Sequence, residues 1–152
     1  MTPAQADIQT SHSVPPPDPE APAVLQVLPS LTTGGVERGT VDIAAALTGA
    51  GLRAIVVSSG GPMKHDIERV GGEHITLPVD SKNPLVIRKN IAALANVIRS
   101  RRIGLVHARS RAPAWSARSA AQRCGIPFMT TFHGTYNFSN PAKKAYNAIM
   151  AK

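Results

Sequence analysis

Three short segments of this 152-residue chain carry residues able to do chemistry. The first is Thr33-Gly34-Gly35-Val36-Glu37-Arg38. Paired glycines ahead of a helical pattern let the backbone approach a ligand and turn free N–H groups toward an anion. A tight turn with no ligand explains the same residues equally well. The second is Val106-His107-Ala108-Arg109-Ser110-Arg111, a histidine late in an apolar run with two arginines at alternating positions. Guanidinium forks suit phosphates and sugar hydroxyls; a buried histidine beside two solvated arginines is the plainer alternative. The third is Thr130-Thr131-Phe132-His133-Gly134, which sets an imidazole at the end of an apolar run.

Other chemistries find little support. The Gly34-Gly35 pair lacks G-x-G-x-x-G spacing, and Ser58-Ser59 stands where a ribose-binding acid belongs, so a dinucleotide loop is a poor match. No P-loop is present. His12, His65 and His74 have no comparable setting, and no His, Cys or carboxylate pair has metal-ligand spacing. Cys124, the single cysteine, cannot form an intrachain disulfide and reads as a small core hydrophobe. Trp115 is suited to stacking on a sugar ring or, more commonly, to filling a core.

The elements that must position these residues follow from periodicity. Residues 24–31, 53–59, 73–79, 104–108 and 128–132 read as strands. Residues 36–50, 63–70, 84–101, 112–124 and 141–152 read as helices, with Pro84 placed as at a first helical position. In the helix over 84–101, Ile87, Ile91, Leu94, Ala95 and Ile98 make the inward stripe. Such alternation predicts an α/β, doubly wound (Rossmann-like) parallel sheet, whose ligand crevice lies at the carboxyl ends of the strands. All three segments fall there.

Charge is divided unevenly along the chain. The net charge is +8, and residues 81–152 hold thirteen Lys and Arg without one Asp or Glu. A paired-carboxylate glycosidase is thereby excluded from that half, and polyanions are attracted to it. Residues 1–22 are Pro-rich and unpatterned and are expected to be a disordered tail ahead of a domain over 23–152. They lack the apolar stretch of a secretory signal, and no later run is long and apolar enough to span a bilayer.

Taken in order, Gly34-Gly35-Val36-Glu37-Arg38, Val106-His107-Ala108-Arg109-Ser110-Arg111 and Thr131-Phe132-His133-Gly134 resemble the N-terminal domain of retaining group 1 glycosyltransferases of the GT-B fold. The likeness runs from residue 24 to the end. It implies a glycosyltransferase half that moves a sugar from a nucleotide-sugar to a glycan or lipid-linked acceptor, with retention and without a metal or other cofactor. It also implies site roles: His133 at the donor sugar as the catalytic residue, Gly34 and Gly35 near the donor diphosphate, and His107, Arg109, Arg111 and Gly134 lining the cleft. The family's donor-binding domain, with its Glu-x7-Glu segment, does not occur in these 152 residues. The chain alone is therefore expected to be inactive, as a fragment or as one subunit of a split transferase. A non-catalytic polyanion-binding module is the alternative. The cationic half suggests a cytoplasmic protein touching the anionic inner membrane surface; sparse aromatics and the lack of a recognition motif disfavour nucleic acid.

Overall fold

The computed structural model describes residues 17–131, 133 and 141–150. Most of the expected tail, with His12, lies outside the described residues, as do Phe132, Gly134 and residues 151–152. Five strands, β1 (Ala23–Val27), β2 (Arg53–Ser58), β3 (Glu73–Thr76), β4 (Ile103–Ala108) and β5 (Phe128–Thr130), form one sheet in the order β3-β2-β1-β4-β5. Every pairing is parallel. The helices α1 (Gly35–Gly49), α2 (Lys64–Arg69), α3 (Pro84–Ser100) and α4 (Arg111–Cys124) make the crossovers, and α5 (Pro141–Met150) follows β5.

Side chains alternate across the sheet, so each strand feeds two cores. Ala54 and Val56 of β2 pack with Val41 and Ala44 of α1 and Ile67 of α2. Ile55 and Val57 face the opposite way, joining Leu25, Val27, Val106 and Ala108 with Leu94, Ala95 and Ile98 of α3 and the alanines of α4. Those alanines let α4 lie close to the sheet and to α3. Cys124 packs against this second core, as a small hydrophobe should. Two asparagines fix α3 there, Asn83 exposed at its start and Asn90 buried along it. Asn83 caps α3 by accepting from the Leu85 N–H at 2.9 Å, and Asn90 donates to the Pro78 carbonyl at 2.8 Å. Asn90 thus takes a buried place on α3 outside the expected apolar stripe, while Ile91 is partly buried and Ile87 lines a surface groove.

β1 and β3 each end at least three residues before the expected bound, for local reasons. β3 stops at Thr76 because Pro78 has no N–H to give a ladder. β1 stops at Val27, after which residues 28–31 bind the segment following β2 instead. Leu28 donates to Val57, Ser59 to Pro29, and Leu31 to Gly60. Gly61, with φ 137°, fits against the Leu31 carbonyl where any Cβ would collide. The loop carrying Gly34 and Gly35 is therefore anchored from β2.

The end of the Pro-rich segment docks on the domain. Arg53 donates from its backbone to the Pro22 carbonyl and from Nε to Ala21, and Arg102 pairs with Glu20. Arg101 clasps Glu73 with both Nε and Nη2. Two cations of the acid-free half are thus matched by acids from the other half.

Candidate active site

In the order β3-β2-β1-β4-β5 the winding reverses between β1 and β4, and a crevice opens at the carboxyl ends of those strands. A recess of about 140 Å³ lies there, lined by Pro29, Val36, Glu37, Arg109, Ser110, Arg111, Thr131 and His133. It gathers the ends of β1, β4 and β5 and the start of α1.

Gln26, His107 and Arg109 share one sheet face: Gln26 and His107 are register partners, and Arg109 is two residues beyond His107. Gln26 is fully buried. Its Nε2 donates to the Thr40 carbonyl of α1 at 3.2 Å, and its Oε1 accepts from Arg109 Nη1 at 3.4 Å. Arg109 is only 5% exposed. Its guanidinium rests against Gly39, where an added Cβ would come within 2.9 Å of Nη2. Its Nε has no hydrogen-bond partner among the described residues. Burial pushes the Arg109 pKa below its ordinary value, yet a guanidinium stays charged in proteins. A buried cation with an unmet donor favours an anion in the recess.

His107 lies deeper, 7% exposed, and does not line the recess. Its Nε2 is 3.1 Å from the Thr131 hydroxyl, which is 3.2 Å from Nε2 of the exposed His133. Burial, then the charges of Arg109 and His133, lower the His107 pKa to about 4, so the ring is neutral near pH 7. One hydroxyl thus joins a buried neutral imidazole to one at the surface.

Of the expected site residues, Arg109, Arg111 and His133 meet in the recess. His107 reaches it through Thr131, Gly34 and Gly35 do not line it, and Gly134 lies outside the described residues. Gly34 caps α1 in an extended conformation, with φ 168°. The Glu37 carboxylate, at the end of a flexible side chain, folds over it: an added Cβ would meet Oε2 at 2.5 Å unless that side chain moved. Gly35 has open space above its Cα. Sequence reasoning missed Glu37, Thr131 and Gln26. Glu37 was legible as an acid in the first turn of α1, where the helix dipole favours it. Trp115 is 40% exposed and so is not a core aromatic. His74, on β3, pairs with the Ser58 hydroxyl at 2.8 Å, apart from the recess. Among the described residues no group of three or more His, Cys, Asp or Glu could hold a metal, and no helix is long and apolar enough to cross a membrane.

A doubly wound sheet with cations and an imidazole at its switch point defines a class of ligand-binding α/β domain, and comparison with known proteins narrows it. The profile of Glycosyltransferase Family 4 matches residues 33–152. The crystal structure of a glycosyltransferase from Rickettsia africae ESF-5 is 43% identical, with a TM-score of 0.75. The match covers 86% of this chain and 35% of that one, so the chain spans about a third of this relative's length. The chain belongs to glycosyltransferase family 4. Two more distant structures share the fold alone. The glycotransferase of kitacinnamycin is 15% identical, with a TM-score of 0.52, over 87% of this chain and 34% of that one. The C-terminal domain of PF1911 hydrogenase from Pyrococcus furiosus is 16% identical, with a TM-score of 0.55, over 73% of this chain and 91% of that one. A search among curated proteins finds no match.

Proposed function

We propose that this chain is the acceptor-side half of a retaining glycosyltransferase, passing a sugar from a nucleotide-sugar to a glycan or lipid-linked acceptor. One observation carries the reading: Arg109 is a buried guanidinium with an unmet donor, in a recess shared with Arg111 and His133. A departing nucleoside diphosphate gathers negative charge as the glycosidic bond breaks. Preorganised guanidiniums in a desolvated recess stabilise that charge, and no metal is needed for the purpose. His133 is the group that contacts the donor sugar at the reacting carbon. The Gly34-Gly35 turn admits the diphosphate to the start of α1, and the Glu37 carboxylate must swing aside when it does, because two anions cannot share that spot.

A second α/β domain supplies the nucleotide-sugar site in this reading, so the 152 residues alone are inactive. The cationic half then holds the enzyme at the anionic cytoplasmic face of the inner membrane, each Lys or Arg near the surface contributing about 1 kcal/mol. The test is a panel of UDP-, GDP- and ADP-sugars offered to this chain united with its donor-binding domain, on one polypeptide or two, with the product's anomeric configuration read by NMR. Transfer with retention from one donor, and no turnover by the 152-residue chain, is expected. Inversion, or turnover by the short chain, refutes the division of labour.

A further inference from the structure

A second depression adjoins the recess. It has a volume of about 510 Å³ and is lined by Ser81 and Lys82 before α3, Ile87 on α3, and Ser110, Arg111, Ala112 and Trp115 at the start of α4. Ser110 and Arg111 line both depressions, so the two share a wall. The volume falls in the ordinary range of small-molecule sites, about 300–1,000 Å³.

The lining combines three chemistries. Trp115, with Ile87 and Ala112, offers an aromatic and aliphatic wall, and the indole is 40% exposed although this size of side chain gains most from burial. Ser81 and Ser110 offer hydroxyls. Lys82 and Arg111 offer charge, and among the described residues no carboxylate lines the groove. A pyranose has an apolar C–H face that stacks on indole and a hydroxyl rim that bonds to serines. Two cations without an acid call for more than a neutral sugar. A purely apolar occupant leaves the Lys82 ammonium without an anion, although the Ser81 hydroxyl already accepts from the Asn83 N–H at 3.2 Å.

We infer that this groove is the acceptor subsite and that it selects an acceptor sugar carrying an anionic group, a carboxylate or a phosphate, stacked on Trp115 and held by Lys82. The inference rests on the glycosyltransferase reading for the word acceptor, but not for the binding itself. The wall shared through Ser110 and Arg111 sets such a sugar beside the place proposed for the donor sugar. Lys82, outside the recess, then serves as a specificity determinant.

Trp115 is the chain's only tryptophan, so its fluorescence reports this groove directly. The 152-residue chain is titrated with glucuronate, glucose 6-phosphate, glucose and inorganic phosphate. A saturable change is expected with glucuronate or glucose 6-phosphate, at concentrations about tenfold below those needed for glucose or for phosphate alone, a difference equivalent to one charge-assisted contact. Which of the two anionic sugars binds more tightly separates the carboxylate from the phosphate. Lys82→Ala should bring the anionic sugars to within about twofold of glucose. Equal responses to glucose and the anionic sugars overturn the inference, as does a response to phosphate as strong as to glucose 6-phosphate, or no response at all. Because turnover is not read, a negative result here leaves the donor-panel test standing, and failure of that panel leaves this one standing.

Discussion

Thr131 is placed between two imidazoles, and its hydroxyl has one proton to give. His107 is neutral near pH 7, so the hydroxyl bridges the rings by donating to one Nε2 and accepting from the other, in the sense the tautomers set. This arrangement ties the His133 ring to His107 through one hydroxyl. The same burial has a measurable consequence for stability. The folded pKa of about 4 lies below the ordinary 6.5, so the unfolded chain takes up the proton first as pH falls. The stability is full above pH 6.5 and is lost as pH drops through about 4. Between pH 7 and 4.5 this one group should cost the fold on the order of 2 kcal/mol. Urea unfolding at both pH values checks it: His107→Gln should lose about 2 kcal/mol less than the parent over that interval. Equal losses would mean that His107 titrates as a solvated histidine.

At the scale of elements, α1 meets the sheet through a buried polar contact as well as through hydrophobes. Gln26 on β1 ties the Thr40 carbonyl to Arg109, and Gly39 leaves the space the guanidinium occupies. In a helix Gly→Ala ordinarily stabilises by about 1 kcal/mol. Gly49, also in α1, has nothing within 4 Å of an added Cβ, so Gly49→Ala should raise the thermal midpoint. Gly39→Ala must displace a buried guanidinium, which should cancel that gain or reverse it. Thermal unfolding of the two variants decides, and an equal rise in both would show that Arg109 is loosely held. This contact also marks where sequence reading ended. The five strands and their crossovers were legible because apolar runs and glycine or proline breaks are local signals. So was the gathering of Arg109, Arg111 and His133 at strand ends. The burial of Arg109 was not, because it depends on Gln26 and Gly39, residues 83 and 70 positions away. Asn90 was missed for a similar reason: its partner, Pro78, lies in a connection whose path no periodicity predicts. Trp115 was ambiguous in sequence, since helical spacing cannot tell a core aromatic from one at a groove.

At the scale of the whole molecule, charge and depressions are unevenly placed. Its cations gather in the second half, Glu73 and Glu20 answering two of them, and the recess and groove open together at the carboxyl ends of the strands. In the proposed function the donor arrives from a second domain across this face. The recess, with His133 at its surface, then becomes the place where the sugar changes hands. The most direct test is the turnover of His133→Ala in an enzyme that unites this chain with a donor-binding domain, with His74→Ala as the control away from the recess. His133 is exposed and contributes little packing, so its loss should leave the thermal midpoint nearly unchanged. Turnover should fall by about 10²-fold, the lower end for a group acting at the reacting atoms, while His74→Ala keeps most of its activity. Full turnover in His133→Ala, or a loss of activity explained by unfolding, contradicts the assignment of this recess as the active site.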